Sequence, residues 1–132
     1  MIRKTAVDSK TLTEIVVNGM QEKKAHDILV LDLRSIKNAV ADFFIICSGN
    51  SDTQVDALMD SVEQEVYKIT GQDPWHKEGK ENREWVILDY VDVVAHIFKK
   101  DRRSFYGLED LWGDAEVVHI NDVLNNYPAK TA

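Results

Sequence analysis

The sequence predicts a single α/β domain, with helices packed on a mixed β-sheet. Three observations lead there. Two segments repeat apolar residues at the helical period, and four short apolar runs bounded by polar or turn residues have the length of strands. Taken with a shorter third helical segment, they follow one another in the order α-β-β-α-β-β-α, which suits a layered α/β domain. The chain has 132 residues, enough for one domain that buries roughly two thirds of its unfolded surface without metal or disulfide staples. With 44% hydrophobic and 30% charged residues, it has the balance of a folded domain and not of a disordered tail.

The first helix is expected from near Thr11, where Thr11-x-x-Glu14 has capping-box spacing and Leu12, Ile15, Val16 and Met20 recur on one side. Gly19 weakens it. Ile28-Leu29-Val30-Leu31, between Asp27 and Asp32, reads as a strand, as does Phe43-Phe44-Ile45-Ile46-Cys47 before Ser48-Gly49-Asn50. Neither run alternates, so both faces of these strands should be covered. Ser51-x-x-Gln54 caps the second helix, whose stripe is Val55, Leu58, Met59, Val62, Val66 and Ile69. Gly71 should end it in a left-handed residue. Gln72 to Glu84 reads as a polar loop around Pro74, long enough to suggest a functional role. Trp85-Val86-Ile87-Leu88 and Val93 to Phe98 then form a hairpin. A third helix should start near Asp101, with Phe105, Leu108, Leu111 and Trp112 on one side. Val117-Val118-His119-Ile120 has the pattern of an edge strand, and Lys130-Thr131-Ala132 is expected to fray.

Charge narrows the function. There are 23 acidic against 16 basic residues, a net charge of -7. Such a surface repels phosphate backbones and favours a basic or neutral partner over a dedicated nucleic-acid site. One cysteine, Cys47, fits a reducing compartment. No signal core and no run near the roughly 18 apolar residues of a membrane span is present, so a cytoplasmic location is expected.

Candidate chemistry is thin. Cys47 sits inside an apolar run, where a small buried hydrophobe is the expected role and a reactive thiol is not. His76-Lys77-Glu78 has the H-x-E form of zinc deaminases but lacks the P-C-x-x-C segment that completes the site. His26, His96 and His119 add no metal-ligand spacing. The strand-turn-helix entry at Ser48-Gly49-Asn50-Ser51 resembles that of nucleotidyltransferases, which then need acids at i and i+2 on one strand to hold Mg²⁺. Asp89 and Asp92 stand at i and i+3, so on one strand they would face opposite ways. Ser51 is explained by capping alone. Lys99, Lys100, Arg102 and Arg103 form the basic cluster, which beside Asp101 reads as a solvated strand exit. Trp75, Trp85, Tyr90, Phe105, Tyr106 and Trp112 gather in the second half among Glu78, Glu84, Asp89, Asp92, Glu109 and Asp110. Aromatics ringed by carboxylates suit a basic protein partner.

Three blocks carry a resemblance. Ala41-Asp42-Phe43-Phe44-Ile45-Ile46-Cys47-Ser48-Gly49-Asn50-Ser51 resembles the strand-turn motif of the ribosomal silencing factors, the RsfS or iojap-like family. Glu78-Gly79 followed by Trp85 to Phe98 resembles that family's E-G … W block, and Arg103-x-Phe105-Tyr106-x-Leu108-Glu109-x-Leu111-Trp112 resembles its ending. Three motifs in order make the match specific. It covers about residues 10 to 115, leaving 1–9 as a lead-in and 116–132 as a C-terminal extension. One position departs: Val91 stands where the family has glycine. A β-branched residue resists positive φ, so the turn at Asp89–Asp92 is expected to change shape.

The resemblance implies a nucleotidyltransferase-like scaffold without its catalytic acids. It implies a non-enzymatic factor that binds ribosomal protein L-fourteen of the large subunit and blocks subunit joining when nutrients are scarce. It also implies a homodimer when free, with no metal and no cofactor. Glu78, Trp85, Asp89, Tyr90, Asp92, Tyr106 and Glu109 are the expected partner contacts. The alternative is a nucleotide-binding or nucleotidyl-transferring enzyme on the same scaffold.

Overall fold

The computed structural model describes residues 7–103, 107 and 113–120. Helix α1 spans Ser9–Glu22, strand β1 His26–Asp32, β2 Phe43–Gly49 and α2 Asp52–Thr70. They are followed by β3 at His76–Glu78, β4 at Trp85–Asp89, β5 at Val93–Lys99, a 3₁₀ turn at Lys100–Arg102 and β6 at Glu116–Ile120. The six strands form one sheet in the order β3-β4-β5-β2-β1-β6. Only β2 and β5 run parallel; the other neighbours are antiparallel.

Both helices lie on one face. Leu12, Ile15, Val16, Val17 and Met20 of α1 and Val55, Leu58, Met59, Val62 and Val66 of α2 bury against Val30, Ile45, Cys47, Val86, Leu88, Ala95 and Ile97 of the strands. Each fully buried aliphatic here is worth about 1.5–3 kcal/mol. The opposite face holds a second cluster, including Leu29, Leu31, Phe44, Ile46, Val94 and Phe98. The non-alternating runs are therefore buried on both faces, as their composition requires.

The structure corrects several expectations. Helix α1 starts earlier than Thr11: Asp8 is its N-cap, and an Asp8 carboxylate oxygen accepts from the Thr11 N–H at 2.8 Å. Ser51 caps α2 as expected, its Oγ accepting from the Gln54 N–H at 3.1 Å. The Gln54 side chain is spent elsewhere, however. Its Oε1 takes the Asn50 N–H at 2.6 Å and its Nε2 donates to the Lys23 and Lys24 carbonyls, tying the start of α2 to the end of α1. Gly71 closes α2 in the left-handed region. Ile69, at the end of the expected stripe, is exposed. The stretch Gln72 to Glu84 contains an added edge strand, β3, which pairs with β4. The edge strand expected at 117–120 is β6, which borders β1. Near Asp101, where a third helix is expected to start, the chain forms the 3₁₀ turn Lys100–Arg102, and Phe105, Leu108, Leu111 and Trp112 lie outside the described residues.

Gly19 has a packing reason. A Cβ there would come within 2.9 Å of the Val62 Cα, and the Ser61 Oγ donates to the Gly19 carbonyl at 2.7 Å. The helices cross backbone to backbone at this point.

Candidate partner-binding surface

Strand β4 alternates. Val86, Leu88 and the following Tyr90 join the helix-side core, while Trp85 and Ile87 pack with the cluster on the opposite face. Asp89, two residues on from Ile87, shares that opposite face by the pleat. Register places His76 beside Asp89 and Glu78 beside Ile87, so the edge strand extends the same face. Gly79 prepares this geometry: its φ is 84°, and a Cβ would fall 1.8 Å from the Trp85 carbonyl oxygen.

Trp85 is held by two neighbours on β5. Its ring stacks on Phe98 with centroids 5.0 Å apart, and its Nε1–H donates to His96 Nδ1 at 3.0 Å. His96 also packs on Phe44, at 4.6 Å between centroids. Burial pushes His96 down to about 3, so the ring is neutral at physiological pH, with Nδ1 accepting and Nε2 carrying the hydrogen.

The turn from β4 to β5 keeps the glycine conformation without the glycine. Val91 has φ 77° and is 57% exposed. The Asp92 N–H donates back to the Tyr90 carbonyl at 3.0 Å, which closes a γ-turn of the rare, strained hand around Val91. An Asp89 carboxylate oxygen accepts from the Val91 N–H at 2.7 Å, and the Tyr90 N–H donates to the Val93 carbonyl at 2.9 Å. These bonds hold the β-branched Val91 in the left-handed region that favours glycine.

Beside this turn lies a cleft of about 390 Å³, lined by Val40, Phe44, Trp75, Asp89, Val91 and Val94. Val40 is 72% exposed and Trp75 76%. The Trp75 backbone N–H donates to the Asp89 carbonyl at 2.8 Å, which fixes the indole's base at the cleft wall.

The expected contacts divide. Glu78 is exposed on β3, its Oε2 2.7 Å from His76 Nε2. Trp85 and Asp89 share one face of β4. Asp92 is exposed in the turn, while its backbone carbonyl accepts from the Asp42 and Phe43 N–H groups at 2.8 and 3.2 Å. Tyr90 is a correction: it is 6% exposed and belongs to the helix-side core, so its side chain supports the turn and offers no surface. Burial raises its phenol pKa, and Glu63 and Asp73 push the same way. Tyr106 and Glu109 lie outside the described residues. The sequence marks Val91 only as a departure from the family pattern and Trp75 only as one of six aromatics, and nothing in it marks Val40.

The competing chemistries gain no support. Cys47 is buried, and burial pushes its thiol up to about 12 against the pull of Arg103. Asp89 ends β4 and Asp92 sits in the turn, so the two acids are not on one strand. Among the described residues no strand carries acids at i and i+2, and no three His, Cys, Asp or Glu side chains gather as a metal site. The basic cluster is largely spent within the chain. Lys99 pairs with Asp52 at 3.2 Å and Arg102 with Glu84 at 3.4 Å, while Arg103 donates to the Asp27 carbonyl and Ser48 Oγ. Among the described residues no helix is long and apolar enough to cross a membrane.

A small mixed α/β domain with an exposed aromatic-and-carboxylate corner is the class that this fold and surface define. Comparison with known proteins makes it specific. Residues 6–132 match the family model described as ribosomal silencing factor during starvation. The chain is 39% identical to the ribosomal silencing factor RsfS of Halalkalibacterium halodurans over 119 residues, covering 90% of this chain and 100% of the relative. It is 40% identical to that of Bacillus subtilis, covering 90% and 99%. A crystal structure of a Chromobacterium violaceum protein superposes with a TM-score of 0.76 at 32% identity, covering 81% of this chain and 88% of that one. The chain belongs to the ribosomal silencing factor family, and its role is regulatory, in translation.

Proposed function

We propose that this protein silences ribosomes by occupancy. It binds ribosomal protein L-fourteen of the large subunit through the β3–β4–β5 corner and so blocks docking of the small subunit. The observation that supports this most is the cleft beside the β4–β5 turn, where the exposed Trp75 stands next to Asp89 on a chain of net charge -7. Aromatic surface with carboxylates suits a basic ribosomal protein better than RNA. Glu78, Trp85, Asp89 and Asp92 make the contact, and Tyr90 holds their turn from beneath. Tyr106 and Glu109 of the family's ending join them. The protein acts in the cytoplasm, is a homodimer when free, and turns over no substrate.

Purified subunits test this. Added to separated subunits, the protein should reduce joining in proportion to occupancy, one copy per large subunit, while preformed ribosomes resist at first. Raising ionic strength should weaken binding moderately through screening of exposed pairs. Substoichiometric protein that inactivates a large excess of subunits over time would sink the idea, because only a catalyst can do that.

A further inference from the structure

The cleft beside the β4–β5 turn is more selective than a general acidic patch. Its walls are the side chains of Val40, Val91, Val94 and Phe44, and its exposed lip is the Trp75 indole. Its one charged lining residue is Asp89. That carboxylate is oriented before any partner arrives, because one oxygen already accepts from the Val91 N–H at 2.7 Å. A carboxylate accepts several hydrogen bonds, so acceptor capacity remains on it. Among the described residues no cation neutralises it: the adjacent His76 turns its Nε2 to Glu78 at 2.7 Å, and Arg83, Lys99 and Arg102 pair with Asp56, Asp52 and Glu84.

We infer that the Val40–Trp75–Asp89–Val91 cleft is a pocket for an arginine side chain of the partner protein. The inference deepens the proposed function and rests on it for the identity of that partner. Each part of the pocket answers one part of arginine. The valine and phenylalanine walls take the aliphatic stem. The indole offers a flat face on which a guanidinium stacks. The Asp89 carboxylate receives the guanidinium N–H groups as charge-assisted hydrogen bonds. Lysine has no planar head to stack and carries its hydration more tightly, so it should fit less well. The net charge of -7 draws a basic segment towards this corner.

The probes are capped tripeptides, Val-Arg-Val and the same peptide with lysine or citrulline at the centre, titrated into the full chain. The readouts are the NMR signals of the Trp75 indole N–H, assigned with Trp75→Phe, and of the Val91 amide. Val-Arg-Val should shift both and bind at least about tenfold tighter than the citrulline peptide, the factor that about 1.4 kcal/mol represents. Asp89→Asn keeps an oxygen for the Val91 N–H and should fold, yet lose about the same factor for the arginine peptide. Equal binding of the citrulline or lysine peptide, an unchanged affinity in Asp89→Asn, or no response at all would overturn the pocket. Shifts that grow with protein concentration alone would give the cleft to a second copy and overturn it too. Co-sedimentation of Asp89→Asn with large subunits separates this inference from the broader one. Arginine selectivity with undiminished co-sedimentation would support the pocket and remove it from the ribosome contact. Lost co-sedimentation without arginine selectivity would do the reverse.

Discussion

Trp85 and His96 are joined across the β4–β5 ladder, the indole N–H donating to Nδ1 at 3.0 Å. Burial makes a charged imidazolium costly here, and among the described residues His96 Nε2 has no hydrogen-bond partner. Its pKa falls from 6.5 to about 3 in the folded chain. Between those values the unfolded chain binds more protons, so stability should rise with pH across that window and be lost as pH falls through it. The loss is on the order of 5 kcal/mol at the acid end. Urea unfolding at pH 7, 6 and 5 should show it before carboxylates titrate. His96→Asn should flatten the slope; an unchanged slope would mean that another group carries it.

Val91 predicts a gain. Glycine at this position removes the strain of a β-branched residue at φ 77°, a cost of about 1–2 kcal/mol, partly offset by the freedom glycine adds to the unfolded chain. Val91→Gly should therefore raise the urea midpoint by about 1 kcal/mol in stability. It should also weaken arginine-peptide binding, since one wall of the cleft goes with it.

Tyr90 separates support from contact. Its hydroxyl is buried with no hydrogen-bond partner among the described residues, so Tyr90→Phe should cost nothing and stabilise by about 1 kcal/mol. Co-sedimentation with large subunits should match the parent protein. Weakened binding in a stable Tyr90→Phe would return the hydroxyl to the interface.

Gly19→Ala should be destabilising despite the better helix propensity of alanine, worth about 1 kcal/mol. The new methyl meets the Val62 Cα at 2.9 Å and the Ser61 carbonyl oxygen at 3.2 Å. These are backbone atoms that cannot turn aside. Overpacking of about 1–3 kcal/mol should leave a net loss, read as a lower thermal midpoint.

The helices were legible because a buried stripe must repeat at the helical period, and Val55 to Val66 does so. The central strands were legible because two covered faces leave no place for polar residues between Phe43 and Cys47. Strand β3 was not. His76, Lys77 and Glu78 are all exposed on an edge with one neighbour, so no apolar pattern marks them. Tyr90 was misplaced for a related reason. Trp85 to Leu88 is apolar throughout and hides the alternation that sends Tyr90 inward. The cleft is assembled by Val40, Trp75 and Val91 from three separate loops, and no spacing along the chain brings them together.

The parallel pairing of β2 with β5 at the centre of the sheet has a consequence for synthesis. The β1–β2 hairpin can form early, but its inner edge stays unpaired until α2, β3 and β4 have been made and β5 has emerged. A nascent chain ending before Val93 holds α1, α2, the β1–β2 ribbon and a separate β3–β4 pair, but lacks the central strand that joins the two pairs into one sheet. Long-range closure of this kind is slow and leaves apolar strand edges open meanwhile. The domain should therefore condense in one step after most of it has left the exit tunnel, and shortened chains lacking β5 should be recovered as aggregate or be degraded.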